Sequence, residues 1–318
     1  MLDKKQYNTL LAAGLSFSIS AILPLLIAQF YVGSLEKLLI INQLTFLIIP
    51  LVLAYKFKLN IKKTFSLEST SIKNVILCVL IAISLIIFGL MVNGIILMII
   101  ERFLGTTSIP DYGESQNAIL ILSVIFPPVC EEALFRGIVL SGFNKGYKNM
   151  TAVVISGILF GLFHMDFQRF FAQAFLGIIM GYLVIKTGSI IPGIIIHIVN
   201  NGVIVIASFI QEALYNSASN MSTMPSADLI ADINNNASIW LIIVMLIISV
   251  IVLRLVLFLI KRVSKKKGNN IIIENNYIDF ADYEQDRLYK KTKPLMSFIP
   301  GLIVVILSYI SLYIQLSI

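Results

Sequence analysis

The sequence predicts an all-α protein, a polytopic membrane bundle of about nine transmembrane helices, and three observations predict it. Of 318 residues, 58% are hydrophobic and only 13% charged, with a mean hydropathy of +0.92, outside the range of soluble domains. Apolar runs of about 20 residues, the length a helix needs to cross a bilayer, recur along the whole chain. The Lys and Arg residues fall almost entirely in alternate connecting segments, as the positive-inside rule requires.

The expected spans run Leu10 to Tyr31, Leu38 to Tyr55, Asn74 to Ile100, Asn117 to Leu140, Phe170 to Ile185, Ile190 to Ile210, Ile239 to Ile260 and Leu295 to Leu316, with a short ninth at Thr151 to His164. The first follows Lys4 and Lys5, is long and lacks a small-residue cleavage site, so it reads as a membrane helix rather than a removed signal. With a cytoplasmic N-terminus, 20 of the 24 Lys and Arg lie inside; Lys37, Arg102 and Arg169 lie outside, and Arg136 lies within the membrane. The net charge of +7 is thereby assigned to topology and anionic lipid, and no nucleic-acid partner is expected. Four blocks follow: 1–116 with three N-terminal spans, a core at 117–211, an extracytoplasmic loop at 212–238, and 239–318 with two C-terminal helices around a cytoplasmic loop at 261–294. Gly157 and Gly161, and Gly177 and Gly181, have the four-residue spacing that lets membrane helices approach closely. Cys78 and Cys130 both fall in spans, where a buried thiol acts as a small hydrophobe.

Chemistry concentrates at Pro127-Pro128-Val129-Cys130-Glu131-Glu132-Ala133-Leu134-Phe135-Arg136-Gly137. Ionisable groups cost several kcal/mol each in hydrocarbon, which makes three of them a functional hypothesis. Glu132 and Arg136 are four apart and share a helix face as an ion pair, while Glu131 points about 100° away. Pro127 and Pro128 are expected to break the span, starting a new helical turn that places the carboxylates near a positive helix N-terminus. The bland alternative is a buried salt-bridge cluster that only pins helices together. Against it, the chain has two histidines, and both lie in the same stretch of membrane. His164 ends the short span four residues after Phe160; His197 stands four before Asn201, on one face. At about 1.5 Å per residue, Glu131, His164, His197 and Asn201 reach one layer within one or two turns. Pro192 and Gly193 add an irregular helix start just before His197.

Glu131-Glu132-xxx-Arg136, Phe160-xxx-His164 and His197-xxx-Asn201 resemble, in order and spacing, the three signature motifs of the CAAX protease and bacteriocin-processing (CPBP, or Abi) family of intramembrane endopeptidases. The resemblance covers about Ile119 to Asn201. It implies that Glu131 and His164 activate a water for attack on a peptide carbonyl and that His197 and Asn201 donate to the oxyanion. Glu132, Arg136 and Phe160 would be supports. The implied partners are membrane lipid and a membrane-bound protein or peptide substrate.

Glu131, His164 and His197 would be enough donors for a catalytic zinc with an open position. The chain lacks HExxH, however, and a zinc on those three leaves only Glu132, already claimed by Arg136, as the intramembrane base. A metal-free glutamate protease without a cofactor is therefore the favoured expectation, with zinc the alternative. Two other classes stay open: a non-catalytic scaffold or bacteriocin self-immunity protein, and a proton-coupled transporter, for which the halves show no convincing internal symmetry.

Overall fold

The computed structural model describes residues 2–104, 117–165, 169–219, 238–264 and 292–317, and in these every extended element is a helix. The chain runs through α1 (Lys4–Phe30), α2 (Leu35–Lys56), the short α3 (Ile61–Thr64) and α4 (Ile72–Leu104). Helix α5 (Asn117–Glu132) passes directly into a seven-residue π-helical segment, Ala133–Val139, and then into α6 (Leu140–Gly146). There follow α7 (Asn149–Phe163), α8 (Phe170–Thr187), α9 (Ile191–Ser219), α10 (Ser238–Arg262), the short α11 (Thr292–Met296) and α12 (Ile299–Ser317).

Seven stretches among the described residues are long and apolar enough to cross a membrane. Two of the nine expected spans do not reach that length as single helices. Helix α7 has 15 residues, and the span carrying the glutamates is divided among α5, the π segment and α6. Helix α9 also continues to Ser219, into the segment expected to be an extracytoplasmic loop, while residues 220–237 and most of the expected loop at 261–294 lie outside the described residues.

The expected break at the prolines does not occur. Pro127 and Pro128 both lie inside α5, and the glutamates stand at its C-terminal end rather than at a fresh N-terminus. A helix survives prolines in a bilayer when neighbours take up the backbone groups that are freed, and such a neighbour is present here.

Large apolar side chains such as Ile247, Ile251 and Leu255 of α10 face outward, as they must where the solvent is hydrocarbon. Contacts between helices are made through small residues. A Cβ on Gly157 would lie 2.7 Å from the Ile178 nitrogen, and one on Gly161 2.9 Å from that of Ala174, so α7 and α8 touch backbone to backbone. Gly177 meets Gly157 in the same seam, whereas Gly181 keeps ordinary van der Waals distances. The chain ends are tied together as well: Ser18 of α1 donates to the Ser297 carbonyl at 2.6 Å and accepts the Gly301 N–H at 3.0 Å. Helix α10 docks on α4, and Asn74 brackets the residue after its last turns, accepting the Ser264 N–H at 2.9 Å. The buried Lys186 of α8 donates to the Ile260 carbonyl near the same end. Within this frame α5 lies against α2 and α9, and α9 against α4, α5 and α8.

Candidate active site

The site is assembled where α2, α5, the π segment, α7 and α9 meet. Glu131 is 9% exposed, Glu132 0%, Arg136 1% and His197 2%, so charged groups here are withdrawn from solvent and must answer one another. Arg136 reaches back one turn to Glu132, with Nη1 2.9 Å from Oε1. The same Oε1 is 3.2 Å from Nδ1 of His197. A carboxylate can only accept, so Nδ1 carries the hydrogen and Nε2 is turned to Glu131, whose Oε2 lies 4.0 Å away. The expected pairing of Glu132 with Arg136 thus holds, and one carboxylate orients both the guanidinium and the imidazole.

Phe160 is the apolar hub. Fully buried, its ring receives the Arg136 guanidinium 4.2 Å from its centroid and stands at 90° to the ring of His197 at 5.7 Å. It also stands 4.6 Å from the ring of His164. A desolvated cation over an aromatic face is worth about 2 kcal/mol, which helps to hold an arginine in so dry a place. One ring therefore touches the cation and both histidines.

Helix α7 delivers His164 by ending there. His164 is its C-cap, and Met165 turns the chain away with φ at 52°, a left-handed conformation that non-glycine residues adopt at some cost. Nδ1 of His164 lies 2.9 Å from the Phe160 carbonyl. A carbonyl accepts, so that nitrogen holds the hydrogen and Nε2 is the free nitrogen. Unlike the other members, His164 is exposed, at the mouth of the cluster.

Asn201 is committed in a way the sequence did not announce. Its Nδ2 donates to the Ser123 carbonyl at 2.9 Å, and its Oδ1 accepts from Asn200 at 3.2 Å. Ser123 is four residues before Pro127, so its carbonyl is the one that Pro127, lacking an N–H, cannot serve. Asn201 is the neighbour that lets α5 run through its prolines.

Two further features escaped sequence reasoning. Gln43 of α2 donates from Nε2 to Glu131 Oε1 at 3.1 Å, while Glu131 Oε2 and Gln43 Oε1 are buried with no hydrogen-bond partner among the described residues. The one available signal was the polar pair Asn42-Gln43 inside an apolar run. The other feature is the π segment that carries Arg136. Its wider turn gives the Leu140 N–H to the Phe135 carbonyl, five residues back, and that carbonyl also accepts from Ser156 of α7 at 3.0 Å. Wide turns of this kind are frequent at functional sites. Gly193 completes the enclosure, since a Cβ there would fall 2.5 Å from Glu132 Oε2.

Cys130 and Cys78 are buried and unbridged. Among the described residues no three His, Cys, Asp or Glu side chains converge closely enough to hold a metal ion. As placed, Glu131, His164 and His197 do not form the closed donor set that a zinc requires.

Residues 114–203 match the family model described as type II CAAX prenyl endopeptidase Rce1-like. A curated relative, "Putative membrane peptidase YdiL" of Bacillus subtilis (strain 168), is 28% identical over 102 residues, which are 32% of this chain and 42% of that protein. No solved structure matches. The matched segment runs from just before α5 into α9 and includes all three motifs. The resemblance to the CAAX protease and bacteriocin-processing family is thus borne out over the core.

Proposed function

We propose that this chain, whose core is of the CAAX protease and bacteriocin-processing type, is an intramembrane endopeptidase that hydrolyses a peptide bond of a membrane-associated protein or peptide. In this reading Glu131 Oε2 takes a proton from a water that His164 Nε2 helps to orient, and the resulting hydroxide attacks the scissile carbonyl. The electrons move onto the carbonyl oxygen, which is held by His197 and by the second N–H of Asn201; each such donor can be worth about 2.7 to 4 kcal/mol. Collapse returns the electrons, breaks the C–N bond and passes the proton from Glu131 to the leaving amine. Glu132, Arg136 and Phe160 set the pose of His197 without touching substrate. The N-terminus is cytoplasmic, as the Lys and Arg distribution argues.

The observation that supports this most is the contrast between the two oxygens of Glu131. Oε1 is anchored by Gln43, whereas Oε2 is buried, unpartnered and turned towards His197. A carboxylate serving only as a structural counter-ion would be expected to have both oxygens engaged.

The test compares membranes bearing the wild type with membranes bearing Glu131→Gln, by mass spectrometry of their peptides. Fragments that appear only with the wild type are expected. Identical peptidomes, with the variant expressed and folded, would move the reading to a non-catalytic scaffold. A metal-free reaction is part of the proposal, and activity lost on chelation and restored by zinc would overturn that part.

A further inference from the structure

A second cavity, of about 220 Å³, opens at the lysine-rich end of the bundle, on the far side of Arg136 from the α5 glutamates in chain order. Its lining includes Lys63 of α3, Ser66, Arg136, and Ser141, Asn144 and Lys145 of α6, and contains no Asp or Glu. The charge of Arg136 is already balanced by Glu132 at 2.9 Å. Lys63 and Lys145 have no ion-pair partner among the described residues, whereas the neighbouring Lys62 is paired with Glu68 at 3.5 Å. The walls are fixed by bonds that are not generic to helix ends. Ser66 sits at φ 50°, and its carbonyl accepts the Ile190 N–H at 2.9 Å, which ties the α3 wall to the start of α9. The Asn144 side chain keeps a buried oxygen without a partner. The cavity thus offers two uncompensated ammonium groups and several neutral hydrogen-bonding groups in a recess between membrane helices.

We propose that this cavity binds a phosphate anion, supplied either by the headgroup of an anionic lipid or by a soluble phosphate. Basic pockets between transmembrane helices recognise phosphate-bearing headgroups through this chemistry, and hydroxyl and amide groups satisfy the phosphate oxygens that the ammonium groups leave free. The proposal does not depend on proteolysis, because neither Lys63 nor Lys145 belongs to the site above.

The test uses the full chain purified in neutral detergent, titrated separately with inorganic phosphate, phosphatidylglycerol and the net-neutral phosphatidylcholine, and followed by thermal unfolding. Saturable stabilisation is expected from an anionic ligand and not from phosphatidylcholine. A response to inorganic phosphate marks a soluble anion as sufficient; a response to phosphatidylglycerol alone marks the lipid as the source. In K63Q/K145Q the apparent affinity should fall about tenfold or more. K4Q/K5Q, which removes two exposed lysines from the start of α1, should bind as the wild type does. Equal binding by K63Q/K145Q and wild type, equal loss in K4Q/K5Q, equal response to phosphatidylcholine, or no saturation with either anion would each overturn the proposal.

Discussion

Asn201 of α9 donates to the carbonyl of Ser123 in α5 at 2.9 Å, and that carbonyl is orphaned because the residue four positions on is Pro127. A motif residue is therefore also the repair of a helix defect, and the two roles can be separated. Asn201→Ala should cost about 1 to 3 kcal/mol by leaving a half-buried carbonyl unserved. Pro127→Ala restores the internal N–H, so the double variant should recover part of that loss. A double-mutant cycle by thermal unfolding in detergent checks this, with a coupling of about 1 kcal/mol expected. If Asn201 also serves the oxyanion, the double variant regains stability but not activity.

Gln43 lies outside the matched segment, yet it is the residue that fixes one oxygen of Glu131. Gln43→Leu removes the donor and keeps the bulk. Hydrogen bonds to charged groups are worth about 1.5 to 3 kcal/mol, so turnover should fall roughly 10- to 150-fold. The fall should appear in kcat rather than KM if Gln43 positions the base and does not grip substrate. Gln43→Asn, whose shorter side chain keeps the amide, should retain part of the rate.

Gly193 leaves room for the Glu132 carboxylate, which a Cβ would meet at 2.5 Å. Gly193→Ala should push that carboxylate off both Arg136 and His197. Overpacking of this kind costs about 1 to 3 kcal/mol, while activity should be nearly lost. Gly202→Ala on the same helix, where a Cβ meets nothing closer than 3.7 Å, should leave both stability and activity close to wild type. Parallel unfolding curves and peptide-cleavage rates distinguish the two substitutions.

Much of this was legible in the sequence. The four-residue spacing of Glu132 and Arg136 anticipated their pair, the composition anticipated the bilayer, and the glycine spacing anticipated the α7 and α8 seam. The prolines misled because their effect on a helix depends on whether another helix supplies a donor, and Asn201 is 74 positions from Pro127 in the chain. Gln43 was hidden for a related reason: a lone amide in an apolar span acquires meaning only from what packs across from it. The π segment leaves no mark in composition or periodicity, since its seven residues, Ala133 to Val139, are ordinary helix formers apart from one glycine.

That segment makes the core sensitive to chain length as well as to side-chain identity. Its turn accommodates one residue more than an α-helix would, so deleting a single residue after Arg136 would let the rod close into regular α-helix. Every motif residue would survive such a deletion. Everything after it would rotate by about 100°, carrying Phe143 away from Phe298, whose ring it meets at 5.0 Å. The signature is thus necessary without being sufficient. A relative that keeps all its motif letters but is one residue shorter between Arg136 and Leu140 should not be assumed to share this arrangement.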